Sequence, residues 1–341
     1  MKIALDAMGG DHAPSVTVSG AVDFVNVCKD TDIILVGDEE VLGAELSKKK
    51  FPESRIEVVH ASETIGMDEA PMSAIKKKKD SSLAKSVELV RNKQAEAVVS
   101  AGNSGATMAL ALLRFGKIPG VMRPAIATIM PVFRQPFVLL DAGANVDCSP
   151  ANLLQFAYMG SAYCRLILDR PKPKVALLSI GEESGKGNEL TKEAYKLLEK
   201  TDLNFIGNVE SKDMFFGRAD VVVCDGFAGN IVLKTSEGVA EGTIRMLKRE
   251  IVKILTGRLG YALLKPAFDS FKRMTDYAEY GGAPLLGING NCIISHGRSS
   301  SVAIRNALRI AADFAQSKVQ ETIAKDISAV ARPTENTVVT G

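Results

Sequence analysis

Short apolar runs alternate along most of the chain with longer stretches in which apolar residues recur at helical spacing. Runs of this length bounded by polar residues and glycine are typical of buried strands. The predicted strands lie within residues 2–6, 32–38, 55–61, 95–100, 123–132, 135–147, 171–181, 203–210, 219–226 and 291–297. The predicted helices lie at about residues 14–28, 39–47, 82–93, 107–115, 152–168, 188–200, 231–280 and 299–323, and the lysines at 76–79 lie on or beside a helix.

The alternation of strands and helices predicts an α/β fold with a largely parallel sheet and helices on both faces. Residues 123–132 and 135–147 are an exception, because no helix-length connection separates them, and we expect them to pair antiparallel. No linker divides the chain. We therefore predict a single domain over residues 1–328 with a protruding helical segment at about 240–280, and a disordered polar tail at 329–341.

Composition narrows the class of protein. The chain has 341 residues, of which 46% are hydrophobic and 24% charged, as in ordinary soluble proteins. The formal net charge of +2 gives no nucleic-acid footprint. The five cysteines are scattered and odd in number, which favours reduced thiols and a cytoplasmic location. No apolar run approaches the ~20 residues of a membrane span.

The stretch SAGNSGA, residues 100–106, lies between a predicted strand that ends at Ser100 and a predicted helix. Gly102 and Gly105 allow a sharp turn and a close approach to a ligand. Asn103 and Ser104 can cap the helix. The free N–H groups of the first helical turn then form an anion site. Residues 177–194 and 221–238 repeat this strand–loop–helix pattern, so three such loops can converge on one anionic substrate.

Further polar glycine loops follow predicted strands at 141–145 (DAGAN), 181–188 (GEESGKGN) and 225–230 (DGFAGN). Any one of them alone is more often a turn than a site, but their common position at strand ends favours a shared site. We therefore assign to substrate binding, besides Ser100, Gly102, Asn103, Ser104 and Gly105, the residues Asp141, Asn145, Asp225 and Gly229. The alternative is that the aspartates are structural and cap helices.

Other kinds of chemistry have weak support. No G-x-G-x-x-G follows a strand, and the loop at 181–187 lacks the spacing of a phosphate-binding ATPase loop. His12, His60 and His296 are isolated, so we expect no metal site. No G-x-S-x-G occurs, and Cys292 near His296 is better explained as a small buried residue. We expect chemistry by binding and electrostatics, without a cofactor or a protein nucleophile.

The motifs DAMGGDHAP, ETIGMDEAP, SAGNSGA, DAGAN, SIGEESGKGN and CDGFAGN together resemble the bacterial phosphate acyltransferase (PlsX) family, and the match extends to about Ala324. The resemblance implies transfer of a long-chain acyl group from acyl carrier protein to inorganic phosphate. It implies a three-layer α/β/α sandwich similar to isocitrate and isopropylmalate dehydrogenases, assembled as a homodimer. The acyl phosphate product would pass to a membrane glycerol-3-phosphate acyltransferase for phospholipid synthesis.

The residues permit that reaction. Phosphate is itself a nucleophile, and a thiol of pKa near 8.5 leaves without strong acid assistance. The loop at 100–106 would bind the phosphate. Lys186, flanked by Gly185 and Gly187, would supply a mobile cation, and Asn230 would donate to the oxyanion of the transition state. We therefore predict Lys186 and Asn230 as catalytic.

Two other hypotheses stay open on the sequence. One is a nicotinamide-linked decarboxylating dehydrogenase on the same fold, for which paired acidic metal ligands and a nucleotide loop are missing. The other is a non-catalytic scaffold that binds lipid or carrier protein, in which the loop glycines are only turns.

Two surfaces suggest partners. Lys76–Lys79 are most simply a solvated face, but with Arg245, Lys248 and Arg249 they could meet an acidic carrier protein. In the segment 244–264, apolar residues recur at helical spacing beside cationic residues. This pattern favours reversible contact with a membrane surface, a dimer interface, or both.

Overall fold

The computed structural model describes residues 1–130, 135–254, 256–275 and 281–330. The strands are β1 (Lys2–Asp6), β2 (Asp32–Gly37), β3 (Ile56–His60), β4 (Ala97–Ser100), β5 (Ala125–Ile126), β6 (Thr128–Met130), β7 (Phe137–Leu140), β8 (Val175–Ser179), β9 (Phe205–Glu210), β10 (Val221–Val223), β11 (Ala283–Leu286) and β12 (Cys292–Ile294). The helices are α1 (Ser15–Val27), α2 (Glu39–Leu46), α3 (Pro71–Lys77), α4 (Ser82–Arg91), α5 (Ser104–Phe115), α6 (Pro150–Ile167), α7 (Glu189–Leu198), α8 (Gly226–Lys253), α9 (Gly257–Thr275), α10 (Ser301–Ser317) and α11 (Val319–Val330).

The strands form two sheets that meet at one extended segment. The seven-stranded sheet has the order β3-β2-β1-β4-β12-β11-β5, and the five-stranded sheet has the order β6-β7-β10-β8-β9. Because β5 and β6 are consecutive along residues 125–130, the chain passes directly from the edge of one sheet to the edge of the other. The pairs of β11 and the pair β6–β7 are antiparallel, and the other pairs are parallel. The antiparallel pairing predicted after residue 123 is confirmed.

Side-chain alternation along the strands produces three layers. In β1, Ile3 and Leu5 enter the core that also contains α1, α6 and α10, whereas Ala4 faces the opposite side. In β10, Val221 and Val223 enter that same core. Val222 faces the other side, where α8 packs. One helical layer therefore covers both sheets, and separate helices cover their opposite faces, as the α/β prediction expects.

Three differences from the sequence-based prediction have local causes. The last helix is divided into α10 and α11, because Lys318 adopts a left-handed φ of 57°. The long helical region begins earlier than predicted, at Gly226, and consists of α8 and α9. Strand β11 is short and contains Pro284, so it carries little apolar signal. The parts of the predicted helical segment at 255 and 276–280, and of the predicted tail at 331–341, lie outside the described residues.

Candidate active site

A cavity of about 290 Å³ lies where the two sheets meet. Its walls come from the β5–β6 segment, from the loops after β7 and β12, and from α5 and α8. Ligands of α/β sheets bind at such points, outside the carboxyl ends of the strands. The cavity has both polar and apolar lining. The polar side chains are Ser104, Thr128, Asn230, Ser295 and Ser299, and the apolar ones include Met108, Ile126, Ile129, Leu233 and Ile294.

The start of α5 forms one wall, and its residues divide between structure and site. The Asn103 side chain accepts from the Ala106 N–H at 3.0 Å, which caps the helix, and its amide donates to the carbonyls of Met67 and Glu69. Through these bonds the Asn103 side chain fixes the loop before α3, so its polar groups are already used. Ser104 is exposed and lines the cavity. Gly105 packs closely, since a Cβ there would lie 2.7 Å from Pro71 Cγ.

The buried carboxylate of Asp6 supports the loop before α5. Asp6 accepts from the hydroxyls of Ser82, at 2.6 Å, and Ser100, at 2.7 Å. The Ser100 hydroxyl in turn accepts from the Gly102 N–H at 3.0 Å. Burial raises the pKa of Asp6 above its ordinary value. Ser100 and Gly102 therefore set the shape of the loop, and both are buried.

Asp141 is the centre of a second buried arrangement, directly after β7. Its carboxylate accepts five hydrogen bonds, from the N–H groups of Ile126, Gly143, Ala144 and Asn145 and from the Asn145 side-chain amide, at 2.7–3.1 Å. Burial raises the pKa of Asp141, and these donors oppose the rise. The Asn145 amide also donates to the carbonyl of Pro124 at 2.7 Å. Both side chains are thus used in joining the loop after β7 to the β5–β6 segment.

The first turn of helix α8 packs against the loop that contains Asp141. Asp225 caps it by accepting from the Ala228 N–H at 2.8 Å. A Cβ on Gly229 would overlap the carbonyl oxygen of Asp141, so only glycine permits this approach. The contact brings Asn230, the next residue, to the cavity wall beside Gly143. The Asn230 side chain is exposed and makes no hydrogen bond to the described residues, so its amide is available to a ligand.

Lys186 lies elsewhere. It is exposed in the loop after β8 and is not among the described residues that line the cavity. In the sheet, β10 separates β8 from β7. Because neighbouring strands are about 4.8 Å apart, β8, which precedes the Lys186 loop, lies roughly 10 Å from β7, which precedes Asp141. The structure therefore brings together Ser104 and Asn230 at the cavity, with Asp141, Asn145, Asp225 and Gly229 as their support, but not Lys186.

The cavity contains ionisable residues that the sequence reasoning did not assign. Lys234 and Glu237 of α8 form an ion pair at 3.0 Å, and both line the cavity together with His296. Burial and then the charge of Lys234 lower the pKa of His296. Lys234 follows Asn230 by four residues, and because α8 begins at Gly226 and not at the predicted residue 231, the two lie on the same helix face.

Comparison with known proteins identifies the family. A family model described as "Fatty acid synthesis protein" matches residues 1–322. A protein named phosphate acyltransferase from Thermodesulfovibrio yellowstonii is 55% identical over 96% of this chain and 94% of its own length. Another of that name, from Dictyoglomus turgidum, is 50% identical over 97% of this chain and 98% of its own. The chain belongs to the phosphate acyltransferase family.

Solved structures confirm the predicted α/β fold. A phosphotransacetylase from Streptococcus pyogenes matches with a TM-score of 0.63 and 22% identity, over 93% of this chain and 94% of that one. The EutD phosphotransacetylase from Staphylococcus aureus matches with a TM-score of 0.60 and 20% identity, over 92% and 94%. With the family established, the protein is an acyltransferase of lipid synthesis, and the dehydrogenase and scaffold hypotheses are set aside.

Proposed function

We propose that the protein transfers a long-chain fatty acyl group from acyl-acyl carrier protein to inorganic phosphate. The products are acyl phosphate, which serves phospholipid synthesis, and free carrier protein. The observation that carries this proposal is one cavity that is lined by Ser104 at the start of α5, by Asn230 and by apolar side chains. Such a cavity suits an anion, a reacting carbonyl and the first part of an acyl chain.

The phosphate would bind at the start of α5. The first N–H groups of a helix have no acceptor within the helix, and the helix dipole favours an anion there. Those of Ser104 and Gly105 occupy this position, and the Ser104 side chain lines the cavity. Binding at this point holds the phosphate close to the thioester, which is the main requirement of a reaction between two bound substrates.

In the proposed reaction a phosphate oxygen attacks the thioester carbonyl carbon. The new C–O bond forms, the C–S bond breaks, and the sulfur leaves as thiolate and takes up a proton. The Asn230 amide donates to the oxyanion of the tetrahedral transition state.

The cysteines support a mechanism without a protein nucleophile. Burial raises the pKa of Cys148 to about 11 and that of Cys292 to about 12, and it also raises the pKa of Cys224. The reactive form of cysteine is the thiolate, so these three thiols are poor nucleophiles at neutral pH.

Lys186 remains our candidate for a second catalytic group. Since it lies in an exposed loop outside the cavity, it would act when carrier protein binds and the loop reaches the thioester. The surface for the acidic carrier protein would include Lys76, Lys77 and Lys79, which are exposed. Lys78 is used differently, because it pairs with Glu69 and donates to the Thr64 carbonyl.

We further propose that the enzyme is a cytoplasmic homodimer that touches the membrane reversibly. Helices α8 and α9 pack together and leave exposed apolar side chains, among them Met246, Leu247, Ile254, Leu263 and Leu264. In the described part of the chain, the helices are too short or too polar to cross a bilayer. Contact at the membrane surface would pass the acyl phosphate to a membrane glycerol-3-phosphate acyltransferase.

The test is an assay of the purified protein with palmitoyl-acyl carrier protein, in the presence and absence of phosphate. We expect free carrier protein and acyl phosphate to form together, and only with phosphate. A folded protein that releases neither product, or that releases carrier protein equally without phosphate, would overturn the proposal.

A further inference from the structure

The charge of the cavity resides in one part of its wall. Among the described residues that line it, only Lys234, Glu237 and His296 have ionisable side chains. Lys234 and His296 are therefore the two candidates for a cationic group that faces a bound anion.

His296 is the weaker candidate. Its imidazole is about half-buried, and burial is the largest cause that lowers its pKa from 6.5. The charges of Lys234 and Arg298 lower it further, while Glu237 and Asp11 oppose them. The lowered pKa favours the neutral imidazole, so Lys234 is the stronger candidate for the positive charge of the cavity.

The Lys234 ammonium group has hydrogen-bond donors that the protein does not use. An ammonium group has three N–H donors, and in the described structure one of them goes to Glu237 at 3.0 Å. Its side chain is 47% exposed, so a ligand can reach it. Glu237 holds the ammonium from one side and leaves two N–H groups for an anion.

The position of Lys234 relative to Asn230 suits the reaction. Four residues on one helix face place the two side chains one turn apart, about 6 Å along the axis. An anion held by Lys234 would then lie next to, and not on top of, the carbonyl oxygen that Asn230 contacts.

We propose that Lys234 is the side chain that binds the phosphate nucleophile in the cavity, together with the N–H groups at the start of α5. This inference rests on the proposed function, because it assigns the anion contact of that same cavity. The role proposed for Lys234 differs from that of Lys186, which would act on the thioester of the acyl-acyl carrier protein.

The experiment compares the wild type with Lys234→Met, which keeps the length of the side chain and removes the charge, and with Lys234→Arg. Lys196→Met is the matched control, since Lys196 forms a similar ion pair with Glu193 at 2.8 Å on exposed α7. We expect Lys234→Met to raise the KM for phosphate by about 10- to 100-fold, as expected for loss of a charged hydrogen bond. The KM for acyl-acyl carrier protein should stay unchanged. Lys234→Arg should recover most of the loss, and Lys196→Met should match the wild type.

A second readout is independent of activity. Inorganic phosphate should raise the melting temperature of the wild type and of Lys196→Met, but not of Lys234→Met, which should otherwise melt like the wild type. An unchanged phosphate KM, or an undiminished phosphate shift in Lys234→Met, would overturn the role of Lys234. A wild type that is stabilised by phosphate but releases no carrier protein would instead overturn the proposed function.

Discussion

Two glycine-containing polar regions at strand ends of the five-stranded sheet look alike in sequence and differ in structure. One is the Asp141 junction, which we define as Asp141, Asn145, Gly226 and Gly229. The other is the Lys186 loop, residues 181–188. Both follow parallel strands and are rich in glycine and polar residues. In the junction, Asp141 and Asn145 are buried and their polar groups are used by the protein itself. In the Lys186 loop, most side chains from Glu182 to Glu189 are exposed.

The glycines next to the key residues differ in part. A Cβ on Gly226 or Gly229 would collide with the backbone of the junction, whereas a Cβ on Gly185 would meet nothing within 4 Å. The junction therefore uses glycine for close packing against the backbone. In the Lys186 loop there is space around Gly185, whereas a Cβ on Gly187 would lie 2.0 Å from the Thr191 hydroxyl oxygen. A polar glycine loop at a strand end can be a support or a reactive element, and burial distinguishes the two. We expect substitutions in the junction to reduce stability and substitutions in the Lys186 loop to reduce activity.

The largest effect should come from Asp141→Ala. Removal of the carboxylate leaves five hydrogen-bond donors without their acceptor in a buried place. At about 1–3 kcal/mol for each unsatisfied buried group, the loss is comparable to the whole stability of a domain, so little folded protein should remain. Circular dichroism and thermal melting would measure this. Asp68→Ala, at an exposed aspartate, is the control. A melting temperature like that of the wild type would remove the distinction between the two loops.

Lys186→Ala should reduce activity and leave stability unchanged. We expect turnover to fall by about 10²–10³-fold, as for loss of one transition-state donor, while the melting temperature stays unchanged because the side chain is exposed. Steady-state kinetics beside a thermal melt measures both. Turnover equal to that of the wild type would show that the loop takes no part in the chemistry.

Asn230→Ala sharpens the comparison, because Asn230 is held by the junction but faces the cavity. Turnover should fall by roughly 10²-fold through loss of the oxyanion donor, with only a small change in melting temperature. If stability falls strongly and the turnover of the folded fraction is normal, Asn230 belongs to the support and not to the reaction.

Much of this arrangement was predictable from sequence, and the reasons for the exceptions are physical. The strand at residues 2–6 was predicted with its bounds because its side chains are buried on both faces. The expected site at 100–106 lies at the cavity through Ser104. The distance of Lys186 from the cavity was not predictable, because it depends on the insertion of β10 between β7 and β8, which no local pattern records. The break at Lys318 was missed because no glycine marks it.

The capping of α5 by Asn103 was predicted from the sequence, but the bonds of the Asn103 and Asn145 amides to distant carbonyls were not. Their partners, such as the carbonyls of Glu69 and Pro124, are more than 20 residues away along the chain. A polar side chain at a strand end is therefore identified as a candidate by sequence, but its hydrogen-bond partners decide whether it is available to a substrate.

The smallest effect should come from Gly229→Ala, measured against Gly238→Ala on the same helix. A methyl group on Gly229 overlaps the Asp141 carbonyl and must shift α8, at about 1–3 kcal/mol. A methyl group on Gly238 meets nothing within 4 Å and should stabilise the helix by roughly 0.5–1 kcal/mol. Denaturant titration measures both changes, and equal effects at the two glycines would contradict the close packing of the junction.

The central claim is that phosphate itself attacks the thioester in the cavity. Its most direct test is mass spectrometry of the product formed from palmitoyl-acyl carrier protein and phosphate in which all oxygens are the heavy isotope. We predict an acyl phosphate that keeps every labelled oxygen, the bridging one included, and a protein of unchanged mass when phosphate is omitted. Unlabelled fatty acid as the only acyl product, or an acylated protein in the absence of phosphate, would contradict the account.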